Sequence, residues 1–505
     1  MPSSPAGRGP FALSVFATIA SLAGLIAFTA AAGLVDSMPL ATVAAVAAAG
    51  AAVWWSATHP ALATHLQGVP RVFRLAFAAG AVVVLAQLAI LGTFIIDPYV
   101  AIWPAGLLRP WQSGHSCVSA YWVATQQATT VPDLYVDTVY RPVTPPGVRR
   151  LPNLGPFFVD VFEYPPTFLP LPRLLSLGAP DFWRFRRLWF ALNLAGVVLG
   201  LVAIARRVDT ALGTHAVWLT PWVLAAPSVI GTLQAGNVQL LFLVVSAVAM
   251  LLFERRRPAV GGLLLGYAIV SKIYPGVLVL YLLLRRDWRA LGWTAAAGAA
   301  LALVTVADVG STPFAAFAGH LPKLLSGEAF PGLRAAPAIA INESVPGIVF
   351  KLGLFGVPGM DFAAAQVVGW IHTLVLVAMT AWLALRQPDR RLDPLAWIAI
   401  LILATLRSPF LPGYGAFPAL WLATLVMAVA CKRPTLGTVS AGLWLLLAVQ
   451  LGQGTVSPQA NAVLTFGHTL ASLVLVFAVL PLVAADARVG MASWAGRGYG
   501  DQLTG

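Results

Sequence analysis

The sequence predicts an all-α polytopic membrane protein, and three observations lead to this fold class. The 505-residue chain is 59% hydrophobic and only 10% charged, and its mean hydropathy is +0.83. This composition is more apolar and less charged than that of soluble globular domains. Apolar runs of about 20 residues, long enough to cross a hydrocarbon core of about 30 Å, recur along the chain. The period-two alternation of a membrane β-barrel is absent from the sequence.

The apolar runs, taken in chain order, divide the chain into six regions. Residues 1–96 hold three predicted spans, and we expect the first to be retained because no small-residue cleavage site follows it. A loop region at 97–183 separates them from a transmembrane core at 184–308. A second loop at 309–360, further spans at 361–485 and a tail at 486–505 complete the chain. The total is about 12–14 transmembrane helices.

Lys and Arg clusters between the apolar runs fix the predicted topology. They fall on one side of the membrane, which the positive-inside rule makes cytoplasmic. The loops 97–183 and 309–360 are then extracytoplasmic, and both termini lie inside. The net charge of +13 is therefore assigned to topology, and nucleic-acid binding is excluded because no basic surface domain carries it. The clusters are Arg8, Arg206 with Arg207, Arg255 to Arg257, Arg285 with Arg286 and Arg289, Arg386 with Arg390 and Arg391, and Lys432 with Arg433.

The loop 97–183 is predicted to fold onto the outer face of the membrane. Loops longer than about 15 residues are usually functional or disordered, and this one is rich in Trp and Tyr. A disordered loop is the alternative.

A broken hairpin is predicted around the sequence SKIYP, between short apolar segments at 259–271 and 274–285. Arg clusters at both ends require an even number of crossings, yet about 13 helical residues reach only about 20 Å. Non-helical backbone at membrane depth is tolerated where it lines a wet cavity, so Lys272 and Tyr274 are predicted to face one. The alternative is a lysine that snorkels at a helix end.

The predicted topology gathers polar residues on the outer face. Such a set suits transfer between a lipid-linked substrate and a water-facing acceptor, because cations hold a phosphate, a carboxylate takes a proton and an apolar groove holds the lipid. No nucleotide-binding, metal-pair or nucleophile-elbow motif is present, and Cys117 and Cys431 show no metal-ligand spacing. The polar residues are Asp97, His115, Asp133, Asp137, Asp160, Glu163, Gln234, Asn237, Lys272, Asp308, His320, Lys323, Asn342, Glu343, Ser344, Arg407 and Tyr414.

Motifs in order along the chain resemble glycosyltransferase family 87. They are FEYPP from Phe162, QAGNVQ from Gln234, SKIYPGVL from Ser271, NESVPG from Asn342 and RSPFLPGY from Arg407, and the resemblance runs from about residue 97 to 425. It implies a GT-C-like helical bundle that moves a sugar, mostly mannose, from a polyprenyl phosphate on the extracytoplasmic face. It also implies inversion, with an acid in the first outer loop as the base, and a glycolipid or glycan acceptor. No cofactor and no metal site are predicted, and the expected location is the inner membrane.

The sequence departs from the family where the base is expected. The family usually has an aspartate shortly before a Tyr and Ala pair, whereas this chain reads HSCVSAYWVA from His115. Asp97 is the first candidate for the base because it stands where the third span ends, and Glu163 and His115 follow. A structural hydrogen bond is the alternative role for each.

The remaining site predictions follow the resemblance residue by residue. Lys272 and His320 would bind the lipid phosphate. Gln234, Asn237 and Asn342 would bind sugar hydroxyls or satisfy broken helix ends, and Tyr164 would stack on a sugar or seat the proline turn. Tyr274 and Arg407 complete the predicted substrate-binding set. Two other functions stay open: a secondary transporter or flippase, and an inactive protein that binds lipid-linked sugar or acts as a scaffold.

Overall fold

The computed structural model describes residues 10–59, 62, 66, 68–99, 114–140, 154–386, 390–430, 434–451 and 456–495. Arg8, Cys431, Lys432, Arg433 and the tail residues 496–505 lie outside this set. The described chain is a bundle of helices with one pair of two-residue strands, which confirms the all-α prediction.

Three long helices open the chain, and loop elements follow them. The first three are α1 (Pro10–Val35), α2 (Met38–Thr58) and α3 (Arg71–Ile96). The described parts of the loop 97–183 are folded, as the sequence predicts. They hold β1 (His115–Ser116), α4 (Cys117–Gln127), α5 (Asp137–Tyr140), β2 (Phe158–Val159), a 3₁₀ turn (Pro166–Phe168) and α6 (Pro170–Gly178).

The central part of the chain begins with the 31-residue helix α7 (Phe182–Leu212). A 3₁₀ turn (Ala216–Leu219) leads into α8 (Thr220–Ala225) and α9 (Pro227–Ala235), and this segment is bent by 58° where Pro227 begins a new helix. The next helices are α10 (Gln239–Glu254), α11 (Pro258–Lys272), a 3₁₀ turn (Tyr274–Gly276), α12 (Val277–Leu284) and α13 (Trp288–Val309).

The last part of the chain has short helices in the second loop and five apolar helices after it. It consists of α14 (Thr312–Ser326), a 3₁₀ turn (Pro331–Arg334), α15 (Ala336–Ala340), α16 (Gly347–Leu354), α17 (Phe362–Arg386), α18 (Asp393–Leu406), a 3₁₀ turn (Gly413–Ala416), α19 (Phe417–Val429), α20 (Pro434–Ala448) and α21 (Pro458–Ala495).

The helix breaks near Lys272, at the place where the sequence predicts a broken hairpin. Helix α11 ends at Lys272, Ile273 adopts a positive φ of 40°, and α12 starts at Val277. A positive φ is rare for a β-branched residue and is incompatible with a continuing right-handed helix, so α11 ends at this point. The hydroxyl of Thr167 donates to the carbonyl of Val270, which ties the end of α11 to the loop after Tyr164.

Among the described residues, seven helices are long and apolar enough to cross a membrane, and the bent α8–α9 segment is a possible eighth. Six shorter apolar helices of 10–17 residues account for the other predicted runs. The chain is therefore a multi-pass membrane protein. The sequence predicted about 12–14 spans because it counted these short helices as crossings.

The centre of the bundle is formed by α7, α10, α18 and α19. Every residue of α18 is buried, as expected for a helix that is apolar on all sides. Helices α2 and α13 are also apolar but expose most of their surface, since only 11% and 17% of their most apolar stretches are buried. The outer helices therefore face lipid, and the inner helices form the protein core.

Candidate active site

The two-residue strands bring a basic and an acidic side chain together. His115 pairs with Phe158 and Ser116 with Val159 in a parallel arrangement. The hydroxyl of Ser119 then accepts a hydrogen bond of 2.9 Å from the Asp160 backbone N–H. This pairing places Asp160 beside His115 across 45 residues of sequence, of which the structure describes only part.

His115, Cys117 and Asp160 form a compact group, called here the His115 cluster. His115 Nε2 lies 3.4 Å from Cys117 Sγ and 3.6 Å from Asp160 Oδ2. Asn237 Nδ2 donates a hydrogen bond of 3.3 Å to Cys117 Sγ. Three side chains of different chemistry thus meet in the stretch where the sequence lacks the aspartate that the resemblance implies.

The protonation of His115 depends on its two neighbours. Burial alone would lower the pKa of His115, but the negative charge of Asp160 and the contact with Cys117 outweigh burial and raise this pKa to about 10. The imidazole therefore keeps its second proton at neutral pH and forms an ion pair with Asp160.

Gly236 fixes the position of Asn237 beside Cys117. Helix α9 ends at this glycine, which has a left-handed φ of 70°, and its carbonyl accepts a hydrogen bond of 2.8 Å from Trp189 Nε1. A Cβ at this position would collide with the side chain of Val118. Only glycine combines this backbone angle with such a close approach to α4.

A cavity of about 340 Å³ extends from the His115 cluster. His115 and Cys117 line one part of it, and Glu343 and His468 line another part. The wall between them is mixed, with apolar groups and a few polar side chains, as is usual for a site that holds an organic ligand. Other lining residues include Gln234, Thr232, Tyr414, Gln450, Asn461 and Thr465.

Glu343 and His468, called here the Glu343 pair, are almost completely buried. Their exposed fractions are 2% and 1%, and His468 Nδ1 lies 2.8 Å from Glu343 Oε1. Glu343 Oε2 and His468 Nε2 have no hydrogen-bond partner among the described residues, and neither does Asn461 Oδ1. Buried polar atoms without partners are uncommon, so this part of the cavity suits a ligand that supplies hydroxyl groups.

Lys272 lies over an aromatic ring and is connected to the His115 cluster. Its Nζ is 5.0 Å from the ring centroid of Tyr164. The Tyr164 hydroxyl lies 2.9 Å from that of Tyr121, which also accepts a hydrogen bond of 3.4 Å from Val238 N–H. Val238 follows Asn237, the residue that bonds to Cys117. Tyr164 also stacks on Phe168 in the turn after its prolines.

Glu163 and His320 are partners of each other. Glu163 Oε2 lies 2.6 Å from His320 Nε2, and the ring of Tyr135 stacks on His320 at 4.9 Å. Burial raises the pKa of Glu163, while the hydrogen bond and charge of His320 act in the opposite direction. The imidazole therefore offsets the charge of the carboxyl group that it contacts.

Four predicted binding residues are placed in different ways. Gln234 lines the cavity, and its buried Nε2 has no partner among the described residues. Asn237 caps α10, since its Oδ1 accepts a hydrogen bond from Gln239 N–H at 2.9 Å. Asn342 Oδ1 accepts from Ser344 and Leu411 N–H groups, which joins two loops. The buried Tyr274 hydroxyl has no partner in the described chain.

Asp97 and Arg407 lie apart from the residues that line the cavity. Asp97 is exposed, accepts a hydrogen bond from Tyr99 N–H and borders a separate pocket of about 660 Å³ with Trp122 and Trp183. Arg407 Nε donates to the Thr373 hydroxyl at 2.6 Å, and its guanidinium lies over Trp370.

Sequence reasoning missed four residues of this site. The sequence shows no metal-ligand spacing around Cys117, and Asp160 and Glu343 are predicted only as part of the polar set on the outer face. His468 lies in a predicted span and carries no predicted role. The pattern His-x-Cys before a helix was the one available signal for the first of these, whereas nothing local to His468 announces its partner.

Comparison with known proteins gives one match. The sequence model of glycosyltransferase family 87 matches residues 162–412, about half of the chain. No curated protein and no solved structure matches it. The matched region contains the FEYPP, QAGNVQ, SKIYP and NESVPG motifs and the first six residues of RSPFLPGY. The His115 cluster and His468 lie outside it. The chain therefore belongs to glycosyltransferase family 87 and is a membrane glycosyltransferase.

Proposed function

We propose that the protein moves a hexose, of the mannose type, from a polyprenyl-phosphate donor to a lipid or glycan acceptor on the extracytoplasmic face of the inner membrane. The observation that carries this proposal is the single cavity that joins the His115 cluster to the Glu343 pair. It supplies a proton acceptor near one wall and buried groups for sugar hydroxyls at another.

The proposed reaction is a single displacement with inversion. The oxygen of an acceptor hydroxyl forms a bond with the anomeric carbon while the bond from that carbon to the phosphate oxygen breaks. The hydroxyl proton passes to a carboxylate, and the polyprenyl phosphate leaves with the electron pair. Lys272 offsets the charge of the leaving phosphate through the positive charge of its ammonium group.

We assign the proton acceptor to Asp160 in place of Asp97. Asp160 Oδ2 lies 3.6 Å from His115 Nε2, and His115 lines the cavity. Asp97 borders the separate pocket. His115 positions the Asp160 carboxylate through their ion pair, as the second member of a base and orienter pair usually does. Glu163 keeps a positioning role through His320.

The sugar ring is assigned to the Glu343 pair. The atoms Glu343 Oε2 and His468 Nε2 have no partner in the described chain, and two neighbouring sugar hydroxyls would satisfy both. Gln234 lines the same cavity and adds an amide donor.

The test is transfer of radiolabelled mannose from a polyprenyl phosphate by the purified protein. Asp160→Asn is expected to lower kcat by about 10²–10⁴-fold, the usual effect of removing a general base. Asp97→Asn is the comparison that separates the two carboxylates, and exposed Asp361→Asn controls for the loss of an acid. Loss of turnover in Asp97→Asn but not in Asp160→Asn would return the base to Asp97. No transfer by the wild type with several donors and acceptors would contradict the proposed function.

A further inference from the structure

The His115 cluster contains three potential metal ligands of three kinds. A ring nitrogen, a sulfur and a carboxylate oxygen come from His115, Cys117 and Asp160, and these atoms all lie within 4.8 Å of one another. We propose that this cluster binds a divalent transition-metal ion of the zinc class, and that the open position of the ion receives the acceptor hydroxyl. The first half stands by itself, and the second half rests on the proposed function.

The distances within the cluster fit a tetrahedral zinc site. Bonds of about 2.3 Å to sulfur and about 2.0–2.1 Å to nitrogen or oxygen place neighbouring ligand atoms about 3.3–3.6 Å apart. His115 Nε2 is 3.4 Å from Cys117 Sγ and 3.6 Å from Asp160 Oδ2. Two of the three distances therefore match such a site, and the third, between Cys117 Sγ and the Asp160 carboxylate, is within 4.8 Å.

The surroundings hold these ligands in place, as outer partners do in metal sites. The strand pairing holds the backbone of His115 opposite Phe158, which is two residues before Asp160. Asn237 Nδ2 donates to Cys117 Sγ, and Cys117 is the first residue of the 11-residue helix α4, whose N–H groups favour a negative ligand atom. The Ser119 hydroxyl binds the Asp160 backbone N–H.

The mixture of ligand atoms favours a transition metal over Mg²⁺ or Ca²⁺. Thiolate and imidazole bind zinc, cobalt and related ions, whereas Mg²⁺ and Ca²⁺ require oxygen ligands. Without an ion, the same atoms form the ion pair between His115 and Asp160. Metal and proton are therefore alternative occupants of His115 Nε2.

A three-ligand site would leave one position of the ion open. His115 and Cys117 line the cavity, so an acceptor molecule reaches this position from there. A hydroxyl bound to a divalent metal loses its proton more easily than a free one. The metal would thereby supply what the missing family aspartate does elsewhere, and Asp160, bound through one oxygen, retains its other oxygen for the proton.

Cobalt binding provides a test that needs no substrate. The purified protein in detergent is stripped with a chelator and titrated with Co²⁺, and a thiolate-to-cobalt charge-transfer band is followed in the near ultraviolet. We expect one ion per chain, displaced by Zn²⁺. Cys117→Ser should abolish the band, and Asn237→Ala should weaken zinc binding by about 10–100-fold, as losses of outer partners do. Cys431→Ser alters the second of the two cysteines and should retain the band.

Two results overturn the metal site. One is a monodisperse wild-type protein that binds no Co²⁺ or Zn²⁺, and the other is a band that survives in Cys117→Ser but not in Cys431→Ser. If His115→Gln remains folded and binds the ion as tightly as the wild type, the assigned ligand set is also wrong. Metal binding without any sugar transfer contradicts the proposed function alone. Transfer that requires Asp160 in a metal-free protein contradicts the metal site alone.

Discussion

At the scale of single residues, the site consists of pairs that are far apart in sequence. Glu163 contacts His320, and Glu343 contacts His468. In each pair an imidazole lies beside a carboxyl group, but the two pairs differ in what remains free. The Glu343 pair keeps two atoms without partners among the described residues and lines the cavity, whereas Glu163 and His320 satisfy each other. Their substitutions should therefore have different consequences.

Glu343→Gln should weaken substrate binding and leave the fold intact. The change keeps the size of the side chain but replaces a carboxylate oxygen that is free to accept hydroxyl hydrogen bonds. A hydrogen bond to a charged group contributes about 1.5–3 kcal/mol, so KM for the sugar donor should rise by roughly 10–150-fold. Steady-state kinetics and thermal unfolding measure the two effects.

Asp393→Asn is a matched control for Glu343→Gln. Asp393 is also buried, but it pairs with Arg285 and Tyr281 and does not line the cavity. It should lower the thermal stability without raising KM. If both variants change KM equally, Glu343 does not bind the substrate.

Glu163→Gln should change how stability depends on pH. Burial raises the pKa of Glu163 above its ordinary value of 4.5. At pH values between 4.5 and the raised pKa, the Glu163 carboxyl group loses its proton in the unfolded chain and keeps it in the folded chain. The free energy of unfolding therefore falls as pH rises through this window. A glutamine at this position does not titrate, so the variant does not lose this part of its stability as pH rises. The Tm of the variant relative to the wild type should therefore rise from pH 4.5 upward and then level off.

The control for this pH profile is Glu328→Gln. Glu328 is exposed, and its hydrogen bonds to other described residues are made through its backbone. Thermal unfolding in detergent at several pH values would compare the two variants. A difference in Tm that is constant with pH for Glu163→Gln would show that burial does not oppose its ionisation.

At the scale of elements, buried arginines on α7 close the ends of other helices. The last carbonyls of a helix have no partner within it. Arg186 Nη1 donates to Phe94 and Ile95 carbonyls of α3 at 3.1 and 2.8 Å. Arg187 donates to Ala32 of α1, and Arg184 donates to Gly33 of the same helix. One turn of α7 thereby holds two helices that precede it in the chain.

Arg186→Lys should destabilise the protein although it preserves the charge. A lysine cannot match the planar guanidinium, which contacts two carbonyls and also lies 4.8 Å from the rings of both Phe94 and Phe157. Leaving a buried carbonyl unsatisfied costs about 1–3 kcal/mol, so Tm should fall by several degrees. Exposed Arg206→Lys on the same helix is the control and should leave Tm unchanged. Equal Tm values for both variants would mean that Arg186 does not hold the helix ends.

At the scale of the whole molecule, the sequence predicted the features that depend on local patterns. Apolar runs gave the all-α bundle, and SKIYP gave the break after Lys272, because run length and turn residues are visible within a short window. The count of 12–14 crossings stays a prediction, because a 15-residue helix such as α11 is apolar whether or not it spans the membrane. The catalytic role of Asp97 stays a prediction that only turnover can test.

The partners within the site could not be predicted in the same way. Asp160 reaches His115 through a two-residue strand pair, and His468 reaches Glu343 across 125 residues. Such contacts depend on how helices far apart in the chain pack, which no periodicity records. The family match ends at residue 412, so the motifs also gave no indication that α21 contributes to the cavity.

The arginines of α7 also bear on how the protein is made. An unpaired arginine is costly within a bilayer, and those at 184, 186 and 187 find their partners on α1 and α3. Synthesis proceeds from the N-terminus, so both acceptor helices leave the ribosome before α7 does. The carbonyls of α1 and α3 that bind these arginines are therefore synthesised before the arginines themselves.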